Sequence, residues 1–261
     1  MLDEVTLARF SQCQLELGKA FDVFLLLSEP LEKEVQRRGL RDVVCLTRDM
    51  IFPAYYGRKS ETRNIKPGNA DLILLAFWRA NPHYEHYWVM EFDVYAPRGL
   101  RQLVALDAGS ESDLLGTYLR ARRHHTNWDN WGTLEIGPSR IENADLDLAI
   151  AATACFLPLS RYSARLLETL DWSYRNGWRG HHEATVATVA ACNGMTSEDL
   201  NTLSKRVFGK AVYSPAGFNH QKSTYVDPLF FYHPMKHASQ IAALHNDLLN
   251  PDLEQSLQKG M

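Results

Sequence analysis

Short apolar runs alternate along the first half of the chain with segments that have helical spacing or helix start and stop signals. Three runs have the length and the β-branched or aromatic content of buried strands: 22–28, 42–47 and 84–94. Helices are predicted between and after them, at 31–39, 69–81 and 98–110. A further strand is predicted at 112–119. This strand-helix alternation predicts an α/β fold with a mostly parallel central sheet.

The second half of the chain is more helical. One buried strand is predicted at 152–160, and helices at 160–177, 181–194 and 236–249. Residues 223–234 have strand-like composition on both sides of Pro228. The polar stretch 48–69 is predicted to be a long loop, and the tail 250–261 is expected to be frayed.

Composition narrows the class of protein. The chain has 261 residues, of which 45% are hydrophobic, so we expect a single domain over 1–261. A net charge of -3 indicates no bulk attraction to nucleic acid or to an anionic membrane. Four widely spaced cysteines without a CxxC pair favour a reducing, cytoplasmic location. No secretory signal and no apolar stretch of membrane-spanning length is evident, which predicts a soluble protein; attachment to a membrane through a partner stays open.

Two carboxylates, Glu91 and Asp93, close the aromatic run 84–94. Side chains two residues apart on a strand point to the same side, roughly 7 Å apart. Ligands of parallel sheets bind at the carboxyl ends of strands, where Asp93 is expected. Paired carboxylates suit Mg²⁺ or Mn²⁺. The alternative is that one acid pairs with an arginine, such as Arg79 or Arg98, while the other is solvated.

The stretch KPGNADLILLAFWRANPHYEHYWVMEFDV, followed by SDLLG, resembles glycosyltransferases of the GT-A type, the nucleotide-diphospho-sugar transferase superfamily. The resemblance covers about residues 20–240 in the order of elements, and its specific part is 66–116. It implies a three-layer α/β/α sandwich. The half at about 20–120 would bind the nucleotide-sugar, and the half at about 121–240 would lie on the acceptor side.

The resemblance also implies a metal site. Asp93 would be the principal ligand of Mn²⁺ or Mg²⁺, and Glu91 would occupy the first acidic position. The superfamily has Asp at that first position, so the longer Glu91 has the alternative of reaching the ribose. His233 in FFYHPMKH would complete the site, and Lys236 would contact the diphosphate. The alternative for His233 is a histidine packed at a strand end.

Other candidates for nucleotide or sugar contacts follow by position. Gly68, Asn69 and Asp71 precede or begin a predicted helix, where backbone N–H groups bind an anion or a nucleotide edge, although simple capping is the alternative. Asp113 would orient a sugar hydroxyl or cap the entrance of its strand. Trp128 and Trp131 would stack on an acceptor sugar or anchor their loop.

The acceptor side supplies one candidate catalytic residue. The resemblance implies Glu183, in GWRGHHEATVATVA, as a general base, and the alternative is a favourable charge at a helix N-terminus. The predicted function is transfer of a sugar from a nucleoside-diphosphate sugar to a hydroxyl acceptor, a glycan or another molecule. Two alternatives remain. One is a metal-dependent phosphoesterase in which His181 or His182 activates water, and the other is a non-catalytic protein that binds a glycan or a protein partner.

Overall fold

The structure is a computed structural model that describes residues 3–66, 68–140, 152–213 and 226–249. The chain forms two compact units, each built from two segments. The first unit comprises Met1–Val89 and Glu111–Asp199, and the second comprises Met90–Ser110 and Leu200–Met261. Each unit combines residues from before and after position 120. The units therefore do not coincide with the predicted halves, about 20–120 and about 121–240, whose binding roles stay a prediction.

The first unit holds both sheets. Its strands are β1 (Leu25–Leu27), β2 (Val43–Cys45), β3 (His86–Met90, whose last residue lies in the second unit), β4 (Leu114–Ala121), β5 (Thr153–Ser163) and β6 (Ser197–Asp199). Its α-helices are α1 (Glu4–Leu17), α2 (Glu32–Arg38), α3 (Arg48–Ile51), α4 (Asp71–Ala80), α6 (Ala164–Arg175) and α7 (His182–Cys192). Short 3-10 helices cover Ala54–Ser60, Arg122–His124 and Asp129–Thr133. The second unit contains α5 (Gln102–Ala108), α8 (Leu200–Phe208) and α9 (Ala238–Leu249).

The α/β class is confirmed, and parallel pairing occurs in both sheets. Strands β1 and β2 form a parallel pair with Leu26 opposite Val44. The second sheet has the order β3-β5-β4-β6 and is mixed, because β5 runs antiparallel to β4 while β6 runs parallel to it. The periodicity of a strand carries no information on the direction of its neighbour, so the antiparallel β4–β5 pair was not predicted from the sequence.

Several element ends differ from the prediction. The sequence predicts Asn69 as the cap of α4, but the N-cap is Ala70, which makes no side-chain capping bond, while Asp71 lies in the first turn as predicted. The predicted cap of α6 is Ser160, but β5 continues through that residue. The cap is Ser163, whose hydroxyl accepts from the N–H of Leu166. The predicted loop 48–69 contains α3 and a 3-10 helix. Each of them buries an apolar side chain, Ile51 in α3 and Tyr56 in the 3-10 helix.

Residues 226–234 do not form the predicted strand. Their backbone pairs only through isolated bridges, from Tyr232 to Tyr95 and from Phe231 to Tyr213. Pro228 removes a backbone donor and lies in a turn, which interrupts regular pairing. The predicted strand residues 223–225 and the predicted frayed tail 250–261 lie outside the described residues.

Each unit has its own apolar cluster. In the first unit, buried side chains of α4, α6 and α7 pack with those of the mixed sheet, and Leu75, Leu166 and Val189 are fully enclosed. In the second unit, Phe230, Tyr232, Met235 and Leu244 form a smaller cluster. No helix in the described ranges is both long and apolar enough to cross a membrane.

Candidate functional site

The two acids predicted at the end of a strand lie instead in the turn that follows it. Strand β3 ends at Met90, four residues before the predicted end of the strand. Residues 91–94 form a turn closed by a hydrogen bond from the N–H of Val94 to the carbonyl of Glu91, 3.0 Å long. Glu91 and Asp93 therefore do not share a face through strand alternation, and the turn sets their directions instead.

Backbone pairing brings residues 232–235 to this turn. The N–H groups of Tyr95 and Tyr232 each donate to the carbonyl of the other, at 2.9 and 2.8 Å. The N–H of Met235 donates to the carbonyl of Asp93 at 2.8 Å. Residues on both sides of His233 along the chain, Tyr232 and Met235, are thus hydrogen-bonded to the segment 93–95. The imidazole of His233 therefore lies beside the Asp93 side chain.

Four of the predicted site residues meet in the second unit. Nε2 of His233 lies 3.2 Å from Oδ1 of Asp93 and 3.5 Å from Oε2 of Glu91. Glu91, Asp93 and His233 each offer one ligand atom, and these three atoms all lie within 4.8 Å of one another. Nζ of Lys236 lies 3.9 Å from Oδ2 of Asp93. We refer to Glu91, Asp93 and His233 as the acid–histidine cluster.

Accessibility is graded across the cluster. The Asp93 side chain is 3% exposed, that of His233 is 15% exposed and that of Glu91 is 29% exposed. Lys236 is about half exposed. The most buried carboxylate thus lies at the inner end of the cluster, and a ligand from solvent would meet Glu91 and Lys236 first.

The cluster shifts the proton affinities of its own members. Burial opposes ionisation of Asp93, but the hydrogen bond and the charge of His233 outweigh it, so the pKa of Asp93 lies below its usual value. Burial also disfavours the imidazolium form of His233. Its hydrogen bonds to Asp93 and Glu91 exceed that effect and raise the pKa of His233 to about 9. Without a bound cation, the protonated histidine therefore neutralises part of the carboxylate charge.

The same three residues have the chemistry and spacing of a divalent-cation site. Two ligands of one Mg²⁺ or Mn²⁺ ion, each about 2.1 Å from the metal, lie between roughly 3 and 4.2 Å apart. The two separations from Nε2 of His233, 3.2 and 3.5 Å, fall in this range, and all three ligand atoms lie within 4.8 Å of one another. Two carboxylates with one imidazole form an oxygen-rich set that suits Mn²⁺ or Mg²⁺. To bind the metal through Nε2, His233 must first release its proton from that atom.

The remaining predicted residues lie in the first unit, where Gly68 contacts the start of α7. Gly68 has a φ of 88°, and a Cβ at this position would lie 2.8 Å from Cδ2 of His181. Its carbonyl accepts from the N–H of His182 at 2.8 Å. Only glycine combines this left-handed backbone with so close an approach.

Asp71 is buried in a charged and aromatic environment that the sequence did not indicate. Nζ of Lys59 lies 3.4 Å from Oδ2 of Asp71, and both side chains are almost fully buried. The hydroxyl of Tyr174 donates to the same carboxylate oxygen. Lys59 also donates to the carbonyl of Gly180 at 3.0 Å. Burial lowers the pKa of Lys59, although Asp71 opposes the shift, and burial raises that of Tyr174.

Asn69 and Asp113 also make contacts within the protein. The side-chain amide of Asn69 donates to the carbonyl of Asn64 at 2.7 Å. Asp113 accepts from the Ser163 hydroxyl at 2.7 Å, from two nitrogens of Arg165, and from the N–H of Thr196 at 3.0 Å. Burial opposes ionisation of Asp113, but these donors outweigh it and lower its pKa. Its contact with a sugar hydroxyl stays a prediction.

Glu183 lies in the first turn of α7, as predicted. Its carboxylate is 3.8 Å from Nη2 of Arg120, whose guanidinium lies 4.5 Å from the ring centroid of Trp128. Trp131 is buried and donates through Nε1 to the carbonyl of His125, so it anchors its loop. Trp128 is partly exposed and packs edge-on against Trp131. The base role of Glu183 stays a prediction.

Lys59, Tyr174 and Arg120 contact predicted site residues and were not singled out from the sequence. No local signal marks Lys59 or Tyr174. Tyr174 is about a hundred residues from its partner Asp71 along the chain, and the burial of both side chains depends on the tertiary structure. Arg120 belongs to a basic run in the sequence, but its proximity to Glu183 depends on how strand β4 packs against helix α7. Comparison of the chain with protein-family models and with curated proteins found no match.

Proposed function

We propose that the protein is a metal-dependent glycosyltransferase that moves a sugar from a nucleoside-diphosphate sugar to an acceptor hydroxyl. One observation carries the proposal: Asp93, Glu91 and His233 present three potential ligand atoms within 4.8 Å of one another. The cation would be Mn²⁺ or Mg²⁺, held chiefly by Asp93. The proposal includes the GT-A-like three-layer sandwich that the resemblance implies.

Each residue of the cluster would have a distinct task. Asp93 and Glu91 would supply anionic oxygen ligands, and neutral His233 would supply Nε2. Lys236, which is half exposed and lies 3.9 Å from Asp93, would contact a phosphate oxygen of the donor through its ammonium. The bound cation would neutralise charge that develops on the diphosphate leaving group.

Acceptor activation would involve the first unit. Glu183 would accept the proton of the attacking hydroxyl if the reaction inverts the anomeric centre, and a retaining reaction would need no such base. Gly68, Asn69 and Asp71, near the start of α4, would contribute to donor binding, and Asp113 would contact the sugar. A glycan or another hydroxyl compound would be the acceptor. The proposal locates the enzyme in the cytoplasm, in keeping with four cysteines that are all free thiols.

A second function is favoured by the raised pKa of His233. An imidazolium with a pKa of about 9 neutralises part of the charge of the two carboxylates without a metal ion. The acid–histidine cluster would then be a structural ion pair in a non-catalytic protein that binds a glycan or a protein partner. This second function predicts no specific binding of Mn²⁺ at the cluster.

Calorimetric titration distinguishes the two functions. The intact chain is titrated first with Mn²⁺, and then with a panel of nucleoside-diphosphate sugars with and without Mn²⁺. We expect one Mn²⁺ site and metal-dependent binding of at least one nucleotide-sugar. Asp93→Asn should abolish both signals, while the exposed control Asp49→Asn should retain them. A folded protein that binds neither Mn²⁺ nor any nucleotide-sugar would refute the transferase proposal.

A turnover assay excludes the remaining enzyme class. Release of free nucleoside diphosphate, accompanied by a glycosylated acceptor, is expected from a transferase. Hydrolysis of a generic phosphate ester in the presence of Mn²⁺, without sugar transfer, would instead indicate the phosphoesterase alternative. The same Asp93→Asn and Asp49→Asn variants serve as the paired controls.

A further inference from the structure

A shallow groove in the second unit combines apolar and cationic side chains. It lies where α5 and α8 meet the segments around 211 and 229, and its volume is about 300 Å³. None of the acid–histidine cluster lines this groove. The residues most relevant to binding are Arg101, Ala105, Phe208, Lys210, Ala211 and Leu229.

Large apolar side chains are exposed on and beside the groove. Phe208 and Leu229 line it directly. Val207 and Val104 lie on the two helices that form it, and all four side chains belong to residues that are 39–41% exposed. Exposed apolar side chains grouped at a groove are one feature of binding surfaces.

Positive charge accompanies the apolar side chains. The last turn of α8 carries Lys205 and Arg206, and every residue of 205–210 (Lys-Arg-Val-Phe-Gly-Lys) is exposed. Arg101 adds a fourth exposed cation at the start of α5. Lys210 is paired with Asp227 at 2.7 Å, so Arg101 and Lys205 supply more of the charge available to an anion.

We propose that this surface, which we call the α5–α8 surface, docks onto an anionic phospholipid bilayer. Apolar side chains that alternate with Lys and Arg bind at the boundary between headgroups and acyl chains, where cations meet lipid phosphates. Phe208 and Leu229 would enter this boundary, and Arg101 and Lys205 would remain among the headgroups. Charge complementarity therefore selects an anionic bilayer over a neutral one.

A bilayer fits the α5–α8 surface better than an acidic protein partner does. Stable protein interfaces cover about 800 Å² on each partner. Nine residues line the groove, against about 20–30 residues on each side of such an interface. A bilayer has no fixed shape to match, so a few apolar side chains together with several cations are sufficient for reversible attachment.

Vesicle co-sedimentation of the intact chain tests the proposal. The vesicles are made of phosphatidylcholine alone or of phosphatidylcholine with phosphatidylglycerol, and the buffer contains EDTA so that metal binding has no influence. We expect binding to the anionic vesicles only, weakened by high salt because screening reduces attraction between exposed charges. Lys205→Gln should lower the partition coefficient about fivefold, the factor that corresponds to one basic residue at such a surface.

Paired variants locate the binding to the α5–α8 surface. Phe208→Ser should abolish most of the binding, whereas Leu15→Ser, at a residue that is 84% exposed on α1, should leave it unchanged. Lys33→Gln on α2 is the matched control for Lys205→Gln. Thermal melts verify that each variant is folded.

Three results would overturn the docking proposal: absence of binding to anionic vesicles, equal binding to both vesicle types, or equal losses in the test and control variants. Binding of an acidic peptide without vesicle binding would also overturn it, in favour of a protein partner. Because metal is chelated throughout, none of these results depends on the proposed transferase activity.

Discussion

Nε2 of His233 lies 3.2 Å from Oδ1 of Asp93, although 140 residues separate the two along the chain. The distance is short because the backbone of residues 93–95 pairs with that of residues 232–235. The pairing creates a buried carboxylate with an adjacent imidazole, which is a potential metal-binding arrangement and also a stable ion pair. The predictions below separate these two roles. They also test the buried Lys59–Asp71 pair, the packing at Gly68 and the protonation of His181.

Replacement of His233 by alanine should lower the affinity for Mn²⁺ by about tenfold or more. Loss of a residue that only supports a ligand already lowers metal affinity by about that factor, so loss of a ligand should lower it at least as much. The reason is the loss of one of the three ligand atoms in the acid–histidine cluster. Mn²⁺ titration of the variant and of the exposed control His83→Ala provides the measurement. An unchanged affinity in His233→Ala would exclude His233 as a ligand.

Replacement of Lys59 by methionine should destabilise the protein by about 3–5 kcal/mol, because the Asp71 charge would remain buried without its cation. The double variant Lys59→Met/Asp71→Asn should recover part of this loss, since neither buried charge remains. Urea unfolding of the two single variants and the double variant gives the coupling energy. Additive losses in the double variant would show that the two side chains do not interact.

Introduction of a methyl group at Gly68 should destabilise the protein by about 1–3 kcal/mol. The backbone is left-handed at this position, and the new Cβ would lie 2.8 Å from Cδ2 of His181. Gly132→Ala is the matched control, because its φ lies outside the left-handed range and a Cβ added there would meet no atom within 4 Å beyond its chain neighbours. Equal thermal stability of the two variants would contradict the predicted crowding.

Acidification should weaken the fold through His181. Burial, assisted by the neighbouring His182, lowers the pKa of His181 to about 4 from its ordinary value of 6.5. Between pH 4 and pH 6.5 the unfolded chain therefore binds more protons at this histidine than the folded protein does. The stabilisation that neutral His181 contributes to the fold is complete above pH 6.5 and is lost as the pH falls toward 4. Because the ring is only partly buried, we expect a loss of about 1 kcal/mol.

Urea unfolding at pH 7 and at pH 5 measures this contribution. His181→Asn should reduce the difference between the two free energies of unfolding, and the exposed variant His83→Asn should not. A pH dependence that is identical in the protein and in His181→Asn would assign the effect to other groups.

Local pattern predicts most element types but not their ends. The apolar run 84–94 contains a strand as predicted, yet the strand stops at Met90 because the next residues form a hydrogen-bonded turn. The predicted stop at Gly39 after α2 is confirmed, since its positive φ of 63° is a local requirement. Ser163 rather than Ser160 caps α6 because sheet pairing extends β5.

The candidate site shows the same division. The sequence by itself determined the chemical types available: two acids separated by one residue, a histidine and a lysine, which are types that bind metals and phosphates. Tertiary structure alone decided that Asp93 and His233 are neighbours, and that Lys59 and Tyr174 enclose Asp71. Periodicity reports which face of a segment is buried, because side-chain directions repeat at a fixed spacing along a helix or strand. The partner of a buried charge depends on long-range backbone pairing, which no short stretch of sequence encodes.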